Sequence, residues 1–210
     1  MKILTILAQK GGAGKTTLSI HLAAAANEGR VVVIGDADPQ GSAAVWSRRR
    51  EEPSPEVVPI DARGLKRAVK AAAKGGVDLL VIDTPPHSTK VASLAASLSD
   101  MVLIPTRPAI LDLEAIGDSV TIAQKVKTPG AVALNCCPPP TRYGEAAIVR
   151  EARDALAAYG MGVAPVALSQ RAAFSHALID GRSVTEFEKN GKAADEIRAL
   201  WNWVEKELDA

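Results

Sequence analysis

Residues 2–27 read KILTILAQKGGAGKTTLSIHLAAAAN. Lys2 to Ala8 is an aliphatic run of strand length, and Thr16 to Asn27 is an apolar, Ala-rich helical run. Between them stands Gln9-Lys10-Gly11-Gly12-Ala13-Gly14-Lys15-Thr16-Thr17. A strand, a Gly-rich turn and a helix in that order form a phosphate-binding loop. The glycines let backbone N–H groups point inward, and the helix N-terminus adds the positive end of its dipole, so a pyrophosphate is held by the main chain. Lys15 is placed for the β- and γ-phosphates, Thr16 for Mg²⁺ and Thr17 for the α-phosphate side. At ordinary residue usage a chance KGGxGKTT in a chain of this length is on the order of one in a million, so a merely structural turn is rejected. The loop departs from the common G-x-x-x-x-G-K-[ST] pattern: Gln9 replaces the first glycine, and an extra lysine, Lys10, stands at its entrance.

Outward from the loop, short aliphatic runs alternate with longer helical ones to the end of the chain. The strand expectations are Val31–Asp36, Val57–Ile60, Val77–Asp83, Met101–Pro105, Gly130–Asn135 and Val163–Ala167. The helix expectations are Gly64–Lys74, Leu111–Lys127, Gly144–Tyr159 and about Lys192–Leu208, with Gly29, Gly75 and Gly160 as stop residues. Continuous aliphatic strands suit a parallel sheet covered on both faces. The expected fold is α/β, a single doubly wound domain over residues 1–210, with a mainly parallel β-sheet flanked by helices. Ligands of such sheets sit at the carboxyl ends of the strands. The second strand ends in Asp36-Ala37-Asp38-Pro39-Gln40-Gly41, and the fourth, VDLLVID, ends in Asp83, one carboxylate placed beside Mg²⁺.

Composition narrows the function. The chain has 210 residues, 47% hydrophobic and 23% charged, which fits a folded globular protein. Aromatics are 3%, too few for a base-stacking surface. With 25 Lys and Arg against 24 Asp and Glu, a polyanionic partner needs a local patch. Cys136 and Cys137 are adjacent, which excludes a disulfide scaffold and reads as reduced thiols. His21, His87 and His176 lack metal spacing. No signal peptide or membrane-length apolar run is present, and the expected compartment is the cytoplasm.

The variant loop KGGAGKTT, the D-x-D-P-Q-G run at Asp36–Gly41 and the D-x-P-P run at Asp83–Pro86 resemble the ParA/MinD family of deviant phosphate-loop ATPases. The likeness extends through most of the chain. It implies that Lys10 crosses a dimer interface to the partner's nucleotide and that Asp38 positions the attacking water and helps hold the metal's water shell. It further implies that Asp83 binds Mg²⁺ through water, that Asp83–Pro86 senses the γ-phosphate, and that Asn135 and Pro165 lie near adenine. Catalytic roles fall to Lys10, Lys15 and Asp38. Nucleotide contacts come from Lys10, Gly11, Gly12, Ala13, Gly14, Lys15, Thr16 and Thr17, and metal contacts from Thr16, Asp38 and Asp83. The C-terminal third resembles small ParF-like partition ATPases without an N-terminal DNA-binding domain, since the phosphate loop begins by residue 9.

That resemblance implies ATP and Mg²⁺ as cofactors, an ATP-bound homodimer, slow hydrolysis, non-specific binding to nucleoid DNA and a ParB-like adaptor. Positioning of a plasmid, a chromosome origin or an assembly such as a carboxysome follows. Arg171, Arg182, Lys189 and Lys192 are the expected DNA contacts. The alternatives are a MinD-like membrane-cycling ATPase and a small-molecule kinase or synthetase. For the membrane alternative, Ile197, Leu200, Trp201, Val204 and Leu208 share one helical face. The tail is acidic, however, and core packing explains the stripe more simply.

Overall fold

The computed structural model describes residues 1–210. Seven strands form one wholly parallel sheet: β1 (Lys2–Ile6), β2 (Val32–Asp36), β3 (Glu56–Pro59), β4 (Leu79–Asp83), β5 (Met101–Thr106), β6 (Gly130–Leu134) and β7 (Gly162–Val163). Their spatial order is β3-β2-β4-β1-β5-β6-β7. Side chains alternate across β1, so Leu4 and Ile6 point into one helical layer while Ile3 and Leu7 point into the other. All four are buried, as continuous aliphatic strands require.

On one face lie α1 (Lys15–Ala26), α2 (Ser42–Ser47), α8 (Ala172–Ile179), α9 (Val184–Phe187) and α10 (Lys192–Asp209). On the other lie α3 (Leu65–Lys74), α4 (Thr89–Ser97), α5 (Ile110–Ala115), α6 (Gly117–Val126) and α7 (Ala147–Ala157). The apolar stripe of α10 is core: Ile197, Leu200 and Val204 are 0% exposed, Trp201 6% and Leu208 7%. It therefore offers no face to a membrane, and no helix is long and apolar enough to cross one.

Three expectations need correction. The last strand is two residues, not Val163–Ala167. Pro165 has no N–H to continue the ladder, and pairing resumes only where Leu168 N–H donates to Leu134 O. The helix expected over Leu111–Lys127 is split at Ile116. Tyr159 Oη donates to the Leu113 carbonyl at 2.8 Å and its ring packs at Gly117, taking an acceptor that an unbroken helix would use itself. The left-handed stop after α3 is Gly76 (φ 75°), while Gly75 has φ −78°. The short helices α2, α4, α8 and α9 were not anticipated, because segments of four to nine residues carry little periodicity.

Cys136 and Cys137 are both free, and burial pushes the Cys137 thiol up to about 12, which keeps it inert. His21 is buried in α1 against Phe174, its Nδ1 accepting the Val184 N–H at 3.3 Å. Burial lowers its pKa to about 4.

Candidate functional site

The register of the sheet assembles the site. Ile6 and Asp36 both stand opposite Asp83, so β1, β2 and β4 end at one level. Residues 7–14 leave that level as the glycine loop. Gly12 (φ 74°) and Gly14 (φ 93°) adopt the left-handed conformation, which L side chains rarely tolerate. Gly14 has a second reason to be glycine: a Cβ there would lie 2.3 Å from Asn135 Nδ2. Gly14→Ala is therefore expected to lower nucleotide affinity at least about 10-fold and stability by about 1–2 kcal/mol. Calorimetric titration with ATP and a melting curve check both.

Two side chains distant in sequence brace the loop backbone. Asn135 Nδ2, after β6, donates to Ala13 O at 3.0 Å, and Arg107 Nη2, after β5, donates to Gly12 O at 2.7 Å. Asn135 was expected beside adenine; here its amide reaches the loop itself. Pro165 is exposed, and its carbonyl accepts from Arg153 Nη2 at 3.0 Å. Arg153 also pairs with Glu145 at 2.8 Å, tying two connections together at this end of the sheet.

Lys15, the first residue of α1, is 6% exposed. Burial lowers its pKa, and the charges of Asp83 and Asp38 partly restore it. The cation is thus held in a desolvated place, where its attraction for an anion is little screened. Lys10 points elsewhere: its Nζ lies 3.0 Å from Asp112 Oδ1 and 3.2 Å from the Leu111 carbonyl in α5. On that same segment Ile110 and Leu111 are 68% and 69% exposed.

Asp83 is fully buried. Burial, reinforced by the Asp36 charge, pushes its pKa up to about 7, against hydrogen bonds from Thr16 and Ser19 and the charge of Lys15. Ser19 Oγ lies 3.2 Å from Asp83 Oδ1, and Oδ2 has no partner. A buried carboxylate oxygen without a partner, beside a threonine hydroxyl, fits Mg²⁺. That ion takes few protein ligands and keeps its waters. No cluster of three or more acidic, His or Cys side chains competes as an all-protein metal cage.

Asp36 is turned to structure. Its Oδ1 accepts the Asp38 N–H and its Oδ2 the Ala44 N–H, shaping the turn into α2, while burial raises its pKa. Asp38 is half-buried and its Oδ1 accepts the Gln40 N–H at 3.0 Å.

The loop, Asp38 and Asp83 thus converge, with Lys10 on the rim. Ser19, Arg107, Arg153 and Asp112 escaped the sequence reading. Ser19 alone carried a signal, lying one helical turn after Lys15 on the helix that faces Asp83. The expected DNA contacts are elsewhere. Arg171 pairs with Glu196 and Arg182 with Asp180, both at 2.6 Å, whereas Lys189 and Lys192 are exposed.

Known proteins share the sequence family and the fold. Residues 4–184 match the family described as the CobQ/CobB/MinD/ParA nucleotide binding domain. The chain is 33% identical to the maintenance of carboxysome distribution protein A of Gloeobacter kilaueensis, over 99% of this chain and 94% of that one. It is 30% identical to the Escherichia coli protein IncC, over 97% and 69%. The fold matches the apo McdA structure from Cyanothece (TM-score 0.77, 19% identity, 99% of each chain covered). It also matches the Mg-ADP complex of the septum site-determining protein MinD from Pyrococcus horikoshii (TM-score 0.78, 18% identity, 98% and 96% covered). With the family model matching residues 4–184 and relatives at 30% identity or more over nearly all of it, the chain belongs to the CobQ/CobB/MinD/ParA nucleotide-binding family.

Proposed function

We propose that this protein is a ParA-type positioning ATPase. It binds ATP with Mg²⁺, pairs with a second copy across the nucleotide, binds DNA without sequence preference and releases it after hydrolysis stimulated by an adaptor. The observation that carries the reading is the division between the two loop lysines. Lys15 is buried over the phosphate site, and Lys10 stands on an exposed, partly apolar rim with Ile110 and Leu111. A rim of that composition suits burial against a second subunit. Lys10 placed there makes pairing depend on the phosphates it meets.

Within the pocket, backbone N–H groups of Gly11 to Lys15 cradle the β-phosphate, Lys15 grips the β- and γ-oxygens, and Thr17 lies toward the α-phosphate. Thr16 and Asp83 hold the metal, with Asp38 on its water shell; Mg²⁺, when bound, neutralises charge developing between the β- and γ-phosphates. Asp38 spends one oxygen on the Gln40 N–H, which fixes the carboxylate and leaves the other to orient the attacking water. Positioning with one half-exposed carboxylate supports slow turnover. Asn135, through Ala13 O, keeps the loop in its binding form and borders the base. Pro165, exposed at the same end of the sheet, is assigned the closing contact over the ring.

The relative named for maintenance of carboxysome distribution favours a protein microcompartment as the cargo, with a plasmid as the second kind. Light scattering with ATP and with ADP, each in Mg²⁺, tests the reading. A dimer in ATP, a monomer in ADP and co-sedimentation with random-sequence duplex in ATP alone are expected. A monomer in ATP would refute it.

A further inference from the structure

Helix α3 carries a charge pattern that the nucleotide site does not use. Between Asp61 and Asp78 the chain has Arg63, Lys66, Arg67, Lys70 and Lys74, and no acidic residue. Helical spacing sets Lys66, Lys70 and Lys74 in one row with Arg67 beside it, and Arg63 stands in the turn just before the helix. All five are exposed. None enters an ion pair: the paired cations of this chain are Lys2, Lys10, Arg30, Arg50, Arg153, Arg171, Arg182 and Arg198. The opposite face of α3 is apolar. Leu65 is fully buried, and Ala68, Val69 and Ala72 pack with Ile60, Ile82 and Ala95. Like charges four residues apart disfavour an isolated helix. Here the covered face holds the helix while its outer face concentrates positive charge in a chain whose net charge is +1.

We propose that the outer face of α3 is the surface on which this protein binds the sugar–phosphate backbone of duplex DNA. The proposal rests on the DNA-binding reading above and relocates its contacts. A ten-residue helix is about 15 Å long, and a duplex carries one phosphate charge per roughly 1.7 Å of its axis. About nine phosphates therefore run past α3, enough to engage its four cations, with Arg63 just beyond its first turn. The bases are not read, because lysine and arginine in a row contact phosphates without sequence information. Membrane binding fits less well, since the large apolar side chains of α3 lie on its covered face and none is left to enter a bilayer. The C-terminal residues compete poorly, because Arg171 and Arg182 are already neutralised by Glu196 and Asp180. Lys189 and Lys192 alternate with Glu188 and Asp195.

The test is fluorescence anisotropy with a labelled random-sequence duplex, in ATP and Mg²⁺, from 50 to 200 mM salt. Lys66→Gln/Lys70→Gln/Lys74→Gln is expected to reduce the slope of log affinity against log salt by about 2.7 and to weaken binding at least about 100-fold. The matching Lys→Arg triple keeps wild-type affinity, and Lys189→Gln/Lys192→Gln changes it less than about 3-fold. Melting curves followed by circular dichroism show that each variant is folded. If wild type binds DNA and the α3 glutamine variant binds it with an unchanged slope, the surface is wrong while the DNA-binding reading stands. If wild type fails to bind DNA in ATP, or sediments instead with vesicles containing anionic phosphatidylglycerol, both the reading and the surface are overturned.

Discussion

Asp83→Asn is expected to be more stable than the parent by about 2 kcal/mol at pH 8, while its Mg²⁺-dependent ATP turnover falls at least about 100-fold. The two effects share a cause. The carboxylate is fully buried at the end of β4, and its pKa of about 7 lies far above the ordinary value of 3.8. A raised folded-state pKa means that the folded chain binds more protons than the unfolded one between about pH 4 and 7. Stability therefore falls as pH rises through that window, and the penalty is complete above pH 7. An amide removes the charge and with it the penalty, less the cost of burying its own donors. The same substitution removes the oxygen placed for the metal's water.

His21 titrates in the opposite sense. Its folded pKa of about 4 lies below the usual 6.5, so its stabilisation is present above pH 6.5 and is lost as pH falls toward 4. In wild type the two trends oppose each other. In Asp83→Asn the larger opposing trend is gone, with only the raised Asp36 still acting against the histidine, and stability is expected to drop between pH 6.5 and 4. Urea unfolding across pH, with phosphate release measured alongside, checks each part. An Asp83→Asn chain weaker than wild type at pH 8 would contradict the account.

The second large effect separates the two loop lysines. Lys15→Ala deletes a desolvated cation from the phosphate site and is expected to weaken ATP binding by about 10²–10³-fold, the usual consequence of removing one partner from a buried charge pair. Lys10→Ala is expected to keep ATP affinity within about 3-fold and to lose ATP-driven dimerisation. Its ammonium rests on Asp112 and the Leu111 carbonyl at the rim, away from the chain's own pocket. That ion pair is half-exposed and weak, so a partner's phosphates can displace it. Asp112→Asn accordingly lowers the ATP concentration at which dimers form. Calorimetry gives the affinities and light scattering the dimer fraction; normal dimerisation of Lys10→Ala would end the division of labour proposed for the lysines.

The site was readable where its chemistry is contiguous. Gln9 to Thr17 carries its own turn-forming glycines, its lysine and its hydroxyls, and Asp83 follows a buried strand that announces itself as four aliphatic residues. Boundaries failed where a distant group intervened. Tyr159 breaks the helix at Ile116 by taking the Leu113 carbonyl, and no window around Ile116 contains Tyr159. Arg107 follows β5, beside β1, and Asn135 follows β6, one strand further on, so their hold on the loop carbonyls arises only in the folded sheet and had no local signal.

By itself the sequence determined the alternating strands and helices, the glycine loop and the acidic strand ends, because each depends on neighbouring residues and on backbone preferences that act over a few positions. The tertiary structure alone decided which charges are free. Lys10 meets the Leu111 carbonyl 101 positions away, and Arg171 meets Glu196 at 25 positions, whereas the α3 cations meet no partner. The physical reason is that ion pairing depends on distances of a few ångströms, which only the folded chain sets.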